Sequence, residues 1–547
     1  MFFYEFILFI GIIALSITSL IGYGSILINQ KKIHTLEAIF FGFPSTALII
    51  TFVHFFLNIN FQVIFFIFLI GIGIFLKKKN QLFLNFENKK FYLILLILIP
   101  IYISQKYHED FGYYHLPHII NLYNEKIIFG LANSNIAFIH NSMWLNILNL
   151  FYSESLNFVT IPTFILYIVF VIFSLNEILN NKHKRFSIYF LLICILYILL
   201  KFTRISEFGN DLPALLFAIL SIYYFLKFEE TIDVQKKKFI FFCNFSFVVF
   251  SILIKFSCIP LLLLSLYLYI KNYKFLLREV FKFNYFLIYL LILSFFIQQF
   301  IYSGCFIFPS NYTCIDVSWF NNDFVLLKDK LELNNKSFYV DNNLYSKEEY
   351  LKNFRWVSFW LERNYYEILE HLLTIIIPVS IILFLSKKNN EKGNHSLRFN
   401  YQVFFSLFVF FGFLFWFTFS PVYRFGIIYF LSLTFVLTFK VYEIKIISNK
   451  ILYFMILVCL LFNFSKNIFR IGNEQTVFFG VKKIVNKFTK ITKSENNFTS
   501  VNRPDTENNS KNGWQGRLCW DINFLCSYNE ISVDKKYGYL IISKLKN

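Results

Sequence analysis

Residues 106–118, KYHEDFGYYHLPH, place Lys106, Tyr107, His108, Glu109, Asp110, His115 and His118 directly after the hydrocarbon run FYLILLILIPIYIS at 91–104. A carboxylate at the edge of an apolar run can take a proton from a hydroxyl or hold a divalent cation. Imidazoles beside it can carry protons or ligate metal. Asp110, Glu109 and His115 form the catalytic set this stretch suggests. Asp110 with His108 is the pair open to a divalent metal, and no other cofactor is called for. His115 and His118 are spaced i, i+3, but Pro117 disturbs a helical pair of ligands. The plainer reading of Asp110 is a cap for the helix that follows.

Three further stretches bear on the same chemistry. RISEFGNDLPA, 204–214, offers Arg204, Glu207, Asn210 and Asp211 between two apolar runs. Asn or Asp ahead of Leu-Pro is also a good helix start. FSPVYRFGI, 419–427, sets Arg424 in a tight turn. An Arg at that depth is costly unless it is paired or binds an anion, and its planar fork suits phosphate oxygens. GLANSNIAFIHNSMW, 130–144, brings Asn133 and Asn141 into an apolar segment. Buried amides want partners, which sugar hydroxyls or neighbouring amides would equally supply. Arg204, Asp211, Arg424, Asn133 and Asn141 are therefore the substrate-binding candidates.

The elements that must hold these residues are apolar spans. The chain has 547 residues, of which 57% are hydrophobic. Runs of about 20 apolar residues cross a bilayer's hydrocarbon core. Fourteen are expected, at 3–28, 35–57, 61–76, 91–104, 157–177, 186–201, 212–228, 239–256, 258–271, 283–301, 366–385, 401–419, 423–439 and 451–465. The segment 135–152, with its amides and His140, reads as re-entrant or interfacial. The first run, MFFYEFILFIGIIALSI, lacks a basic leader and a small-residue cleavage site, and reads as a span rather than a signal peptide.

The net charge of +19 suggests nucleic acid, but its placement argues against that partner. With the N-terminus outside, the short inside loops hold 25 Lys and Arg and the short outside loops hold Lys106, Lys126, Lys201, Arg204, Lys255 and Arg424. Cytoplasmic loops carry the basic excess. The loops 105–134 and 302–365 and the tail 466–547 then lie outside. Cys305 with Cys314, and Cys519 with Cys526, fall on that side, where disulfides persist. The expected fold is all-α polytopic over 1–465, with a small α+β domain at 466–547 outside the membrane. YGYLIISKL has strand character, and Trp514, Trp520, Leu525 and Ile541 give the tail something to bury.

There is no Walker A sequence, no GxGxxG after a strand, no HExxH and no serine elbow. Many spans, an acidic residue in the first large outer loop, a basic outer mouth and an outer C-terminal domain resemble the GT-C superfamily of membrane glycosyltransferases. More narrowly, DFGYYH (110–115), GLANSNIAFIHNSMW (130–144), GNDLP (209–213), SGCFIFPS (303–310), RFG (424–426) and CWDINFLC (519–526) resemble an uncharacterised bacterial family of multi-spanning proteins. The GT-C resemblance implies a bacterial inner (plasma) membrane enzyme that moves a sugar from a polyprenyl-phosphate carrier to an envelope glycan, lipid or protein acceptor. Asp110 would activate the acceptor hydroxyl, and Arg424 with Arg204 would hold the carrier phosphate. Glu109 before Asp110 makes an acidic pair more like that of the mannosyl and aminoarabinose transferases, which leaves open which carboxylate acts. The rival reading is a transporter or flippase of a lipid-linked glycan or related solute. It requires ionisable residues inside the spans and internal repeats; few mid-span charges and no repeat are visible. A third, a structural or assembly protein of the envelope, needs no clustered carboxylates.

Overall fold

The computed structural model describes residues 2–28, 30, 32–83, 88–104, 108–153, 158–180, 186–205, 209–308, 310–338, 345–388, 399–443, 445–446, 448–472, 491–496, 499–504, 518–520, 522 and 525–544. Lys106, Tyr107, Glu207 and Trp514 lie outside the described residues.

Eleven helices among the described residues are long and apolar enough to cross a membrane. Three shorter apolar helices, Leu93–Ile103, Phe186–Lys201 and Phe256–Lys271, fall where three more spans were expected. The segment 135–152 does not cross. It folds into the short turns Ile136–Ile139, Met143–Leu148 and Asn149–Phe151, each started or broken by a polar side chain. Asn135 caps the first through Ala137 N, and Ser142 caps the second through Trp144 N.

Burial divides the helices into a centre and a rim. Ile161–Leu179 and Asp211–Glu230 are almost wholly enclosed, whereas Phe61–Gln81 and Tyr401–Phe419 show most of their apolar surface. Phe65, Phe66, Leu69 and Ile70 are exposed, an apolar surface that lipid tails cover. The first three helices meet backbone to backbone. A β-carbon on Gly22 would run into Gly71 O, one on Gly24 into Ala38 O, and one on Gly42 into Leu20 O. Small residues allow this approach, which van der Waals packing then rewards.

Polar side chains collect at the two ends of the bundle. At one end Glu177 accepts from Tyr223 OH at 2.5 Å and from Lys227 Nζ at 3.4 Å, and Glu37 accepts from Tyr224 OH at 2.8 Å. The clustered lysines lie in helix ends here, Lys77 and Lys78 in the last turn of Phe61–Lys78 and Lys236, Lys237 and Lys238 at the start of Val234–Ile254. The other end carries both disulfides, Cys305–Cys314 and Cys519–Cys526. The four remaining cysteines are buried and free.

The tail closes that second end. Strands Ile531–Lys536 and Tyr539–Lys544 pair antiparallel, with Ile531 opposite Lys544. Tyr537 and Gly538 both take positive φ, 53° and 78°, as a two-residue hairpin turn of the primed kind requires. The hairpin docks on the loop after Asn124: Phe129 N donates to Leu540 O at 2.9 Å, and Ile542 N donates to Phe129 O at 2.8 Å. Ile127, Ile128, Leu131, Tyr302, Leu525, Val533, Leu540 and Ile542 form one shared core. The described tail therefore shares its apolar core with the first large loop. A second strand pair, Ile491–Asn496 with Thr499–Pro504, lies earlier in the tail.

Gly42→Leu should lower the thermal unfolding temperature and the folded yield of detergent-solubilised protein, since overpacking typically costs about 1–3 kcal/mol and here the obstacle is backbone. Gly73→Leu, where nothing lies within 4 Å, should leave both unchanged. Equal behaviour of the two variants would contradict the close crossing.

Candidate functional site

Asp110 opens a π-helical turn, Phe111–His115, that runs straight into the helix Leu116–Asn124 with Pro117 in its first turn. Such turns are rare and frequent at functional sites. The Asp110 side chain makes no cap hydrogen bond, so capping does not account for it. Its carboxylate instead lies 3.3 Å from His108 Nδ1, and 37% of the side chain is exposed. Burial opposes ionisation of Asp110. The hydrogen bond from His108 and the charges of His115, His108 and Arg424 outweigh that, and hold the carboxyl down at about 2. His108 is raised in turn, through the hydrogen bond with Asp110. Glu109 is exposed.

His115 is 6% exposed, and burial pushes it down to about 4. It lies under the turn at Gly209, where a β-carbon would come within 2.6 Å of its Cε1. Gly209 has φ +48°, so the turn needs glycine twice over. His115 Nε2 has no hydrogen-bond partner among the described residues. The charges of Asp110 and Asp211 both act on His115. His118, the expected companion, turns away to Asn146 Oδ1 at 3.3 Å. The i, i+3 histidines therefore do not share a ligand.

The turn at 209–211 delivers the second carboxylate. Asp211 begins the helix Asp211–Glu230 yet caps nothing. It accepts from Lys255 Nζ and lies 3.3 Å from Arg424 Nε. The helix Val234–Ile254 ends at Lys255, whose ammonium also sits 3.4 Å from the Phe425 ring centroid. Three helix ends thus meet on one carboxylate. Lys255 is the member that sequence reading left out of the site, although its place at a break between two apolar runs was the available signal.

The disulfide-closed segment of the tail lies over Asp110's own turn. Trp520 N donates to Gly112 O at 2.9 Å, and the indole fills the place a β-carbon on Gly112 would need, 2.6 Å from Trp520 Cδ2. Tyr528 packs on Tyr113 at 5.1 Å between ring centroids. Tyr528 N and Ser527 Oγ both donate to Ser134 O.

The remaining expected site residues are placed elsewhere. Asn133, 2% exposed, donates to Trp319 O at 2.8 Å and Ile542 O at 3.0 Å, tying the loop to the hairpin. Asn141 donates to Gln298 Oε1 at 3.2 Å, in a buried network with Asn146, Thr51 and Tyr302. The two amide nitrogens are thus taken, while Asn133 Oδ1 and Asn141 Oδ1 are buried without a hydrogen-bond partner among the described residues. Arg204 is grouped with Lys466, on which its charge acts, while the neighbouring Thr203 accepts from Arg470. Among the described residues no three His, Cys, Asp or Glu side chains converge as a metal site requires.

A family model, a domain of unknown function (DUF8201), matches residues 5–431. The chain belongs to this family. The DUF8201 region takes in Asp110, His115, Asp211, Lys255 and Arg424. The match stops short of the helix Asn449–Gly472 and the tail over the site. No curated protein and no solved structure matches the chain.

Asp110→Asn should lower the His108 pKa, because the hydrogen bond that raises it weakens; an NMR titration of His108 reads this directly, and an unchanged value would break the pair. The stability that ionised Asp110 contributes is present above its unfolded pKa near 3.8 and is lost as pH falls toward about 2. Asp211→Asn leaves two cations facing each other and should destabilise by about 2–4 kcal/mol. The double variant with Lys255→Met should recover part of that in thermal unfolding.

Proposed function

We propose that the chain is an integral membrane glycosyltransferase of the GT-C kind, working on the disulfide-bearing face of a bacterial plasma membrane that it crosses fourteen times. The observation that supports this most is the pairing of two carboxylates at one depth. Asp110 is ionised and partly open to solvent, while Asp211 is closed by Lys255 and Arg424. One carboxylate is available to a ligand, and the cations beside it raise the local positive potential.

In the proposed reaction the bond between the sugar's anomeric carbon and the phosphate oxygen of a polyprenyl-phosphate donor breaks, and its electron pair leaves with the phosphate. The acceptor oxygen forms the new bond to that carbon, and its proton passes to Asp110. A carboxylate with a pKa near 2 is a weak base at neutral pH. Asp110 therefore orients the hydroxyl by accepting its hydrogen bond and takes the proton late, once the acceptor oxygen has turned acidic. Arg424 stabilises the charge growing on the phosphate. His115 is a positioning residue, since it feels both carboxylates and lies under the turn at Gly209. No metal enters this scheme.

Asp110→Asn should reduce transfer of labelled sugar from a polyprenyl-phosphate donor in proteoliposomes by about 10²–10⁴ at unchanged expression. Arg424→Lys keeps the charge, loses the fork and should also be impaired. Glu109→Gln should have a mild effect. Full activity of Asp110→Asn would remove the carboxylate from the mechanism and favour transport of a lipid-linked glycan. Impermeant thiol reagents should not label cysteines introduced at 236–238 in intact cells; labelling there would reverse the orientation.

A further inference from the structure

A pocket of about 550 Å³ is lined on one side by Tyr423, the residue before Arg424. Among the described residues its charged lining is Lys201, Glu370, Lys466 and Arg470, three cations and one carboxylate. Lys201 pairs with Glu370 at 2.7 Å, and Arg470 is braced by Thr203 O at 3.0 Å and Asn467 Oδ1 at 3.2 Å. Lys466 lies 5.5 Å from the Phe462 ring centroid and forms no ion pair among the described residues. Its spacing from Phe462 and Arg470, four residues each way, turns all three toward the same pocket. Excess positive charge beside hydrocarbon is costly unless an anion meets it.

The other end of the pocket is apolar. Leu373, Ile377 and Phe462 line it, and each is also exposed on the outside of the bundle, next to Leu369, Ile376 and Leu461. The pocket thus opens sideways onto the surface that lipid tails cover. The charged end lies where the helix Trp356–Leu385 passes from the polar stretch ending at Glu370 into an apolar run, the level of membrane head groups. A ligand here must carry an anionic head and an apolar tail. The volume falls within the roughly 300–1,000 Å³ of small-molecule sites. The excess of cations suits a phosphate ester, for which guanidinium and ammonium are the usual partners.

We infer that this pocket binds the phosphate head group of a membrane lipid, whose tail leaves along Leu373, Ile377 and Phe462. None of Asp110, Asp211 and Arg424 lines the pocket, and the inference does not depend on glycosyl transfer. Tyr423 lines the pocket while Arg424, the next residue, holds Asp211, so one helix start serves both sites.

The test uses the full chain in detergent micelles, with a fluorescent phosphatidic acid as probe. Unlabelled phosphatidic acid should displace it, and diacylglycerol with the same chains should not. Lys466→Gln should weaken binding by about tenfold or more. Lys466→Arg should largely restore it, and Lys236→Gln, at the opposite end of the bundle, should leave it unchanged. Asp110→Asn should bind as the parent does even where transfer is lost, which separates this site from the proposed reaction. A photo-reactive phosphatidic acid on the unaltered chain should label 366–378 and 459–470. Equal competition by diacylglycerol, unchanged affinity in Lys466→Gln, or labelling confined to other segments would overturn the site. Inorganic phosphate binding as tightly as phosphatidic acid would overturn its assignment to a lipid.

Discussion

An ionised carboxylate at the edge of a hydrocarbon layer survives only if cations meet it there, and Asp211 is the place where this chain meets that requirement. Leaving a charge buried without its partner costs several kcal/mol. The carboxylate therefore ties the start of Asp211–Glu230 to the end of Val234–Ile254 and to the start of Tyr423–Glu443, through Lys255 and Arg424. The centre of the bundle inherits its alignment from this pairing. Asp211–Glu230 is among the most enclosed helices, yet its hydrophobic faces are nearly uniform and would pack in several rotations. A single charged anchor at the end of such a helix selects one of them.

With Asp211 closed, the neighbouring carboxylate acquires a different character. Asp110 shares the field of Arg424 and His115 but keeps an open side, and among the described residues His108 is its ion-pair partner. The π-helical turn that follows holds Tyr113, Tyr114 and His115 at one extra residue per turn. His115 is thereby set beneath Gly209, while Gly112 is left bare for Trp520. Of the two carboxylates, one is structural and one is available.

The tail adds a second layer of control. Its hairpin has no independent core; it buries Val533, Leu540 and Ile542 against Ile127, Ile128 and Leu131. The disulfide Cys519–Cys526 shortens the segment that carries Trp520 and reduces the freedom it would otherwise lose on docking. Any shift of the tail must therefore be felt at Gly112, two residues from Asp110. Access to the open carboxylate and the fold of the tail are one mechanical problem.

What the amino-acid sequence settled by itself was whatever follows from hydrophobicity and charge along the chain. Apolar runs of the right length mark the helices, and clustered lysines mark one end of the bundle. Paired cysteines nine and seven residues apart closed as expected, because close partners need little guidance from the rest of the fold. Asp110 was visible because few ionisable groups follow a span so directly. Tertiary structure alone decided the rest. Asp211 read equally well as a helix cap, and only the arrival of Lys255 and Arg424 from far along the chain gave it another role. Asn133 and Asn141 read as ligand groups, and became ties to Trp319, Ile542 and Gln298 because those partners come from segments more than 150 residues away. Arg204 was grouped by depth with Arg424, and its charge is also felt at Lys466. Depth in the membrane is written in local hydropathy; the neighbour across the bundle is chosen by packing between distant segments, which no local pattern encodes.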